Sequence, residues 1–146
     1  MRSNSPQLGK RGVALVLVVF ALAFMAVLTA AILDEATTNL SILRNHASGL
    51  RALYAAQAGL SDAVAALRLN YAYAGSLSGS VALPDGTTST YSAAVTNVLP
   101  VVTVTSSGTA DGFTRTIRAR LVVSKAPLVL PYPVRIVSWQ EVVGAG

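Results

Sequence analysis

Between Val13 and Leu33 the chain runs for 21 residues without a charge, and only Thr29 interrupts its apolar character. An α-helix of that length, at ~1.5 Å per residue, is about 30 Å long, the thickness of a bilayer's hydrocarbon core. No small soluble domain can bury such a segment on every side, so this run constrains the fold more than any other feature. It also explains a composition of 12% charged and 53% hydrophobic residues, against roughly 25% charged in ordinary globular chains. Arg2, Lys10 and Arg11 precede the run, and basic residues at that flank favour the cytoplasmic side of a membrane. Without residues 1–12 the chain would keep eight basic and six acidic side chains. Most of the formal +5 is therefore topological. The chain has no cysteine, which excludes a disulfide framework and a thiolate metal site.

Three readings fit this front segment. A secretory signal has a basic leader, an apolar stretch of about 7–15 residues and a small-residue cleavage site, and Thr29-Ala30-Ala31 supplies small residues. A single-pass anchor needs only the length. In the third reading a short leader is removed after Gly12, with Lys10 and Arg11 as its basic flank, and the apolar segment stays in the mature chain from Val13 onward.

The residues that follow favour a retained segment. From Asp34 to Asn70 there is no proline, and apolar side chains recur at helical spacing in Leu40, Leu43, Ala47, Leu50, Tyr54, Ala58, Leu60, Val64 and Leu67. Residues 13–70 are predicted to form one helix, apolar all round in its first part and amphipathic in its second, with that stripe seating a small head. Asp34 and Glu35 mark where the chain leaves the hydrocarbon, since carboxylates are costly at a bilayer's centre.

The segment Ala52-Leu-Tyr-Ala-Ala-Gln-Ala-Gly-Leu-Ser-Asp-Ala-Val-Ala-Ala-Leu67, together with Arg11-Gly-Val-Ala-Leu-Val-Leu-Val18, resembles the N-terminal region of PilX-type minor pilins and of the K-type pseudopilins of type II secretion. The resemblance spans roughly residues 9–70. It implies a type IV pilin-like α+β fold, cleavage after Gly12 by a prepilin peptidase, and an N-methylated mature N-terminus at Val13. Most type IV pilins carry a glutamate at the fifth mature position, where this chain has Leu17. In the family that carboxylate neutralises the N-terminal ammonium of a neighbouring subunit inside an apolar core, where an unpaired charge is expensive. Its absence, shared with K-type and PilX-like subunits, implies a low-copy subunit that initiates or caps assembly. The partners implied are other pilin or pseudopilin subunits, an inner-membrane assembly platform and membrane lipid. The implied location is single-pass in the bacterial inner membrane, N-terminus cytoplasmic and head extracytoplasmic, and then in a surface or periplasmic filament.

Beyond residue 70 the composition shifts. Residues 71–79 read as a linker rich in Tyr, Ala, Gly and Ser, and residues 80–146 as a β-rich head. Strands are predicted at Val81–Pro84, Thr88–Val98, Val101–Thr105, Phe113–Ser124 and Val134–Val143, three to five of them forming an antiparallel sheet. Turns are predicted at Asp85-Gly86, Ser106–Gly108 and Asp111-Gly112. In the fourth strand Phe113, Ile117, Ala119, Leu121 and Val123 share one parity, while Thr116, Arg118 and Arg120 share the other. Ala126–Pro133, with three prolines, is expected to be extended or irregular, and Trp139 to anchor the packing, an exposed interaction role being the lesser reading.

Catalytic chemistry is not expected. His46 is the only histidine, and no phosphate loop, nucleophile elbow or carboxylate pair at catalytic spacing is present. Neither a metal nor another cofactor is expected. Arg115, Arg118, Arg120, Lys125 and Arg135 bias the head toward positive charge. Arg118 and Arg120 share a face, and two readings fit them: a small anionic-ligand patch, one that could take DNA, and the favoured one, a solvated strand face, under which nucleic acid is not an expected partner.

Overall fold

A computed structural model describes residues 8–84, 86–124 and 130–142, with side chains from Gly12 onward. One long helix, α1 (Leu8–Leu69), is followed by β1 (Gly75–Ala82), β2 (Thr88–Val98), β3 (Val101–Ala110), β4 (Phe113–Val123) and β5 (Val134–Val142). The strands form one antiparallel sheet in the order β1-β2-β3-β4-β5, each paired with its neighbours in sequence. The rear of α1 packs against this sheet, giving the expected α+β, pilin-like architecture.

The chain divides into two compact units, residues 1–44 and 45–146. In the first unit α1 begins at Leu8, so the helix already includes Lys10, Arg11 and Gly12. Residues 1–7 of the expected leader lie outside the described residues. Every side chain from Val13 to Leu33 is exposed. Four hydroxyls are satisfied along the helix, Thr29 donating to the Met25 carbonyl (2.9 Å), Thr37 and Thr38 to that of Asp34 (2.9 and 3.0 Å), and Ser41 to that of Thr38 (2.8 Å). Such bonds let hydroxyl residues sit in a helix without an unmet polar group.

In the second unit the predicted apolar stripe meets the sheet only in part: Leu67 is buried and Leu60 and Val64 pack against the core, while the closest contact falls on smaller residues. Leu50 and Tyr54 are exposed, and the buried positions are Ser48, Gly49, Ala52, Ala55, Ala56, Gly59, Ala63 and Leu67. The reason is close approach. A Cβ on Gly108 of β3 would collide with the Ala52 carbonyl oxygen and the Ala56 amide nitrogen, and would lie 2.9 Å from the Ala55 carbonyl carbon. One on Gly59 would collide with Ser106 Oγ and lie 2.7 Å from the Tyr91 ring. Helix backbone and strand thus meet where both lack bulk. Below this contact Ala63 and Leu67 join Val95, Val102, Val104, Leu121 and Val123 in the core, flanked by Tyr71, Tyr73 and Tyr132.

The same contact corrects the turn expected at Ser106–Gly108. Those residues lie inside β3, and the reversal comes at Asp111-Gly112, where φ is 50° and 81°. Positive φ at two successive central residues suits a tight hairpin. The linker is also shorter than expected, because β1 takes in Gly75–Gly79. As an edge strand it needs one partner, and Leu77, Gly79 and Val81 alternate inward between exposed serines. The reading of β2 matches in full, and that of β4 to within one residue. β5 is described to Val142, while Asp85, Ala126–Val129 and Val143 of the predicted turn, tail and strand lie outside the described residues, as does Lys125.

Candidate functional site

The sequence-predicted processing positions sit on the first turns of α1. The Lys10 and Arg11 backbones are helical, Gly12 has open space around its α-carbon, and Val13 and Leu17 are both exposed. Four residues apart, Val13 and Leu17 lie on one helix face. Neither of them carries a charge. Among the described residues α1 is the one helix long and apolar enough to cross a membrane. Its front therefore presents an uncharged surface on all sides, fit for lipid or for other apolar helices. Asp34 and Glu35 are the first carboxylates after it.

In the second unit every described carboxylate is engaged. Asp111 accepts hydrogen bonds from Ser48 Oγ (2.9 Å) and from Arg51 Nη1 (3.1 Å), fastening the β3–β4 hairpin to the helix. Glu141 accepts from Arg115 Nη1 at 3.0 Å. Asp62 accepts from the Tyr91 hydroxyl, and this bond, with desolvation and the adjacent negative charge, raises the Tyr91 pKa above its ordinary value. Tyr91 lies across Gly79, whose missing side chain makes room for the ring. These contacts hold the head on the helix. No group of three metal-ligating side chains occurs among the described residues.

Trp139 departs from its expected role. It is 58% exposed on β5, an edge of the sheet, with Ile136 and Val137 also exposed. A shallow cavity of about 240 Å³ separates it from the helix, lined by Gln57, Leu60, Ser61, Ile117, Ile136 and Trp139. Phe113 is likewise half-exposed rather than buried. The arginines also separate. Arg115 has helix-side parity and pairs with Glu141, whereas Arg118 and Arg120 point from the opposite face of the sheet. A register shift opposite Arg120/Leu121 alters the parity of β5, so Arg135, paired with Val122, joins that outer face. No local sequence signal marks that bulge.

Comparison with protein-family models, curated proteins and solved structures finds no match to this chain.

Proposed function

We propose that the chain is a minor pilin-like structural subunit of a type IV pilus or a related secretion pseudopilus, one that initiates or caps assembly. The observation that carries this reading is the double duty of α1. The helix that presents an uncharged, membrane-length surface at its front continues without a break into the helix on which the head is built. A simple anchor needs the first property alone. A subunit that exchanges lipid for neighbouring helices needs both.

In this mechanism the subunit is stored in the inner membrane with its head outside, and a prepilin peptidase removes the leader after Gly12. The new N-terminus at Val13 is N-methylated, and the assembly platform transfers the helix from lipid into a bundle of similar helices. Transfer from one apolar medium to another costs little, because packing rather than the hydrophobic effect drives helix association in lipid. Leu17 supplies no counter-charge for the ammonium of an adjoining subunit, which supports a place at the end of a fibre. Leu50 and Tyr54, exposed on the helix side turned away from the sheet, give the second unit apolar side chains of its own that are open to neighbours.

A second reading, a single-pass protein whose head binds an extracytoplasmic partner, draws on the exposed Trp139 edge. Intact mass and N-terminal sequencing of the protein from its native membrane separate the two. A chain starting at N-methylated Val13 is the expected result. An intact Met1 in cells with active prepilin peptidase overturns the filament reading in favour of an anchor. A start near Ala31 overturns both.

A further inference from the structure

We propose that the outer face of the sheet is a docking surface for the phosphate backbone of duplex nucleic acid. The inference uses the sheet alone and does not depend on the filament reading. Three arginines, Arg118 and Arg120 on β4 and Arg135 on β5, are exposed on this face. Arg118 and Arg120 stand two residues apart on one strand, roughly 7 Å, so each can reach a different phosphate. Arg135 lies beside them on the adjacent strand because the bulge reverses the parity of β5.

The carboxylates that would ordinarily quench such a patch are elsewhere. Asp62 is on the helix and bonded to Tyr91, Asp111 is bonded to Ser48 and Arg51, and Glu141 is on the helix side with Arg115. Among the described residues the outer face therefore carries guanidinium groups and no carboxylate. Around them it carries hydroxyls: Thr105 is opposite Arg118, and Thr103 and Ser138 are opposite Arg120. Hydroxyl and guanidinium donors are the groups that bind phosphate oxygens and fix a protein on a duplex without reading its sequence.

The same face selects among polyanions. None of its described strand positions is aromatic, since Tyr91, Phe113 and Trp139 all have helix-side parity. Single strands are held largely by stacking bases on aromatic rings, and this face has no such platform. A duplex keeps its base faces stacked inside and lines its outside with phosphates, which this inventory of guanidinium and hydroxyl donors matches.

The test is fluorescence anisotropy of a labelled 20-base-pair duplex with the full chain in non-ionic micelles, from 50 to 200 mM salt. Three phosphate contacts give a slope of log affinity against log salt of about −2.7, and hence roughly 40-fold weaker binding at the higher salt. R118Q, R120Q and R135Q are each expected to reduce the slope by about 0.9 without lowering the thermal midpoint. R115Q, on the helix side, is expected to leave the slope unchanged. A duplex of unrelated sequence is expected to bind equally well. No binding at 50 mM overturns the proposal, as does a triple variant that binds as the parent does, or an R115Q effect equal to that of R118Q. Binding to vesicles of phosphatidylserine and phosphatidylcholine without binding to duplex also overturns it and reassigns the face to anionic lipid.

Discussion

The front and the rear of α1 share a backbone geometry and differ in what their side chains are for. In front, large side chains cover the helix: Leu15, Val16, Phe20, Phe24 and Met25 are all more than half exposed. At the rear the buried face is alanine, glycine and Ser48, with Leu67 its one large side chain fully enclosed. The front is built to be solvated by something apolar, so bulk and hydrophobicity matter and fit does not. The rear is built to touch a particular sheet, so the absence of bulk matters most. Burial and hydrophobicity part company on one helix, and the residues that hold the head are not its most hydrophobic ones.

The sharpest test of that contrast is Gly108. Replacing it with alanine puts a methyl group into the helix backbone at Ala52 and Ala56, atoms that cannot move aside as a flexible side chain would. Overpacking of this kind typically costs about 1–3 kcal/mol and sometimes more, and a fixed backbone on both sides puts Gly108→Ala at or above ~3 kcal/mol. Thermal unfolding of the full chain in detergent is expected to show the head largely unfolded or its midpoint sharply lowered. A midpoint close to that of the parent would break the close-approach account.

Next in size is a matched pair of leucines. Leu67→Ala empties a fully buried site and is expected to destabilise the head by about 3 kcal/mol. Leu50→Ala, on the exposed side of the same helix segment, is expected to change it by under ~0.5 kcal/mol. Chemical denaturation of both variants checks the pair. Equal losses would mean that hydrophobicity, rather than which face the side chain occupies, decides the packing.

The smallest effect belongs to the Tyr91–Asp62 bond. Ionising Tyr91 would place a phenolate beside a carboxylate, so the folded state holds the phenol's proton more tightly than the unfolded chain does. A group with a raised folded pKa contributes stability that is complete below its unfolded value, about 10 for tyrosine. That contribution is lost as pH rises through the folded value. The head's midpoint should therefore hold level on this account up to about pH 10 and then decline. Tyr91→Phe is expected to cost under ~1 kcal/mol at neutral pH and to make the alkaline decline shallower. A decline unchanged in Tyr91→Phe would assign it to other groups.

These contrasts also show which parts of the fold were legible beforehand. The front of α1 was legible from length and apolarity, and β4 from its alternation, because Ile117, Ala119, Leu121 and Val123 face a core while Arg118 and Arg120 face water. The helix face against the sheet was read rightly at Leu60, Val64 and Leu67 and misread at Leu50 and Tyr54, because periodicity weights large apolar residues. Alanine and glycine carry little such signal although they permit the closest contact. Gly108 was misread for a related reason. Ser-Ser-Gly resembles a turn when its neighbours are unknown, and only the helix above it explains a glycine inside a strand. Trp139 was taken for an anchor by its size, whereas its edge position leaves it uncovered. Arg118 and Arg120 could be paired by parity, but Arg135 joins them only through a bulge.

The strand order has a consequence for how the head is made. Each strand pairs only with the strand before it and the strand after it, so no segment waits for a distant partner before forming its ladder. Folding is fast where contacts are local in sequence. A chain delivered from its N-terminus presents α1 first, then β1 through β5 in the order of pairing. Each strand can therefore find its partner as soon as it follows the one before. The contacts distant in sequence are those between sheet and helix, and the tightest of them, Gly108 against Ala52 and Ala56, leaves no room for even a methyl group on the glycine.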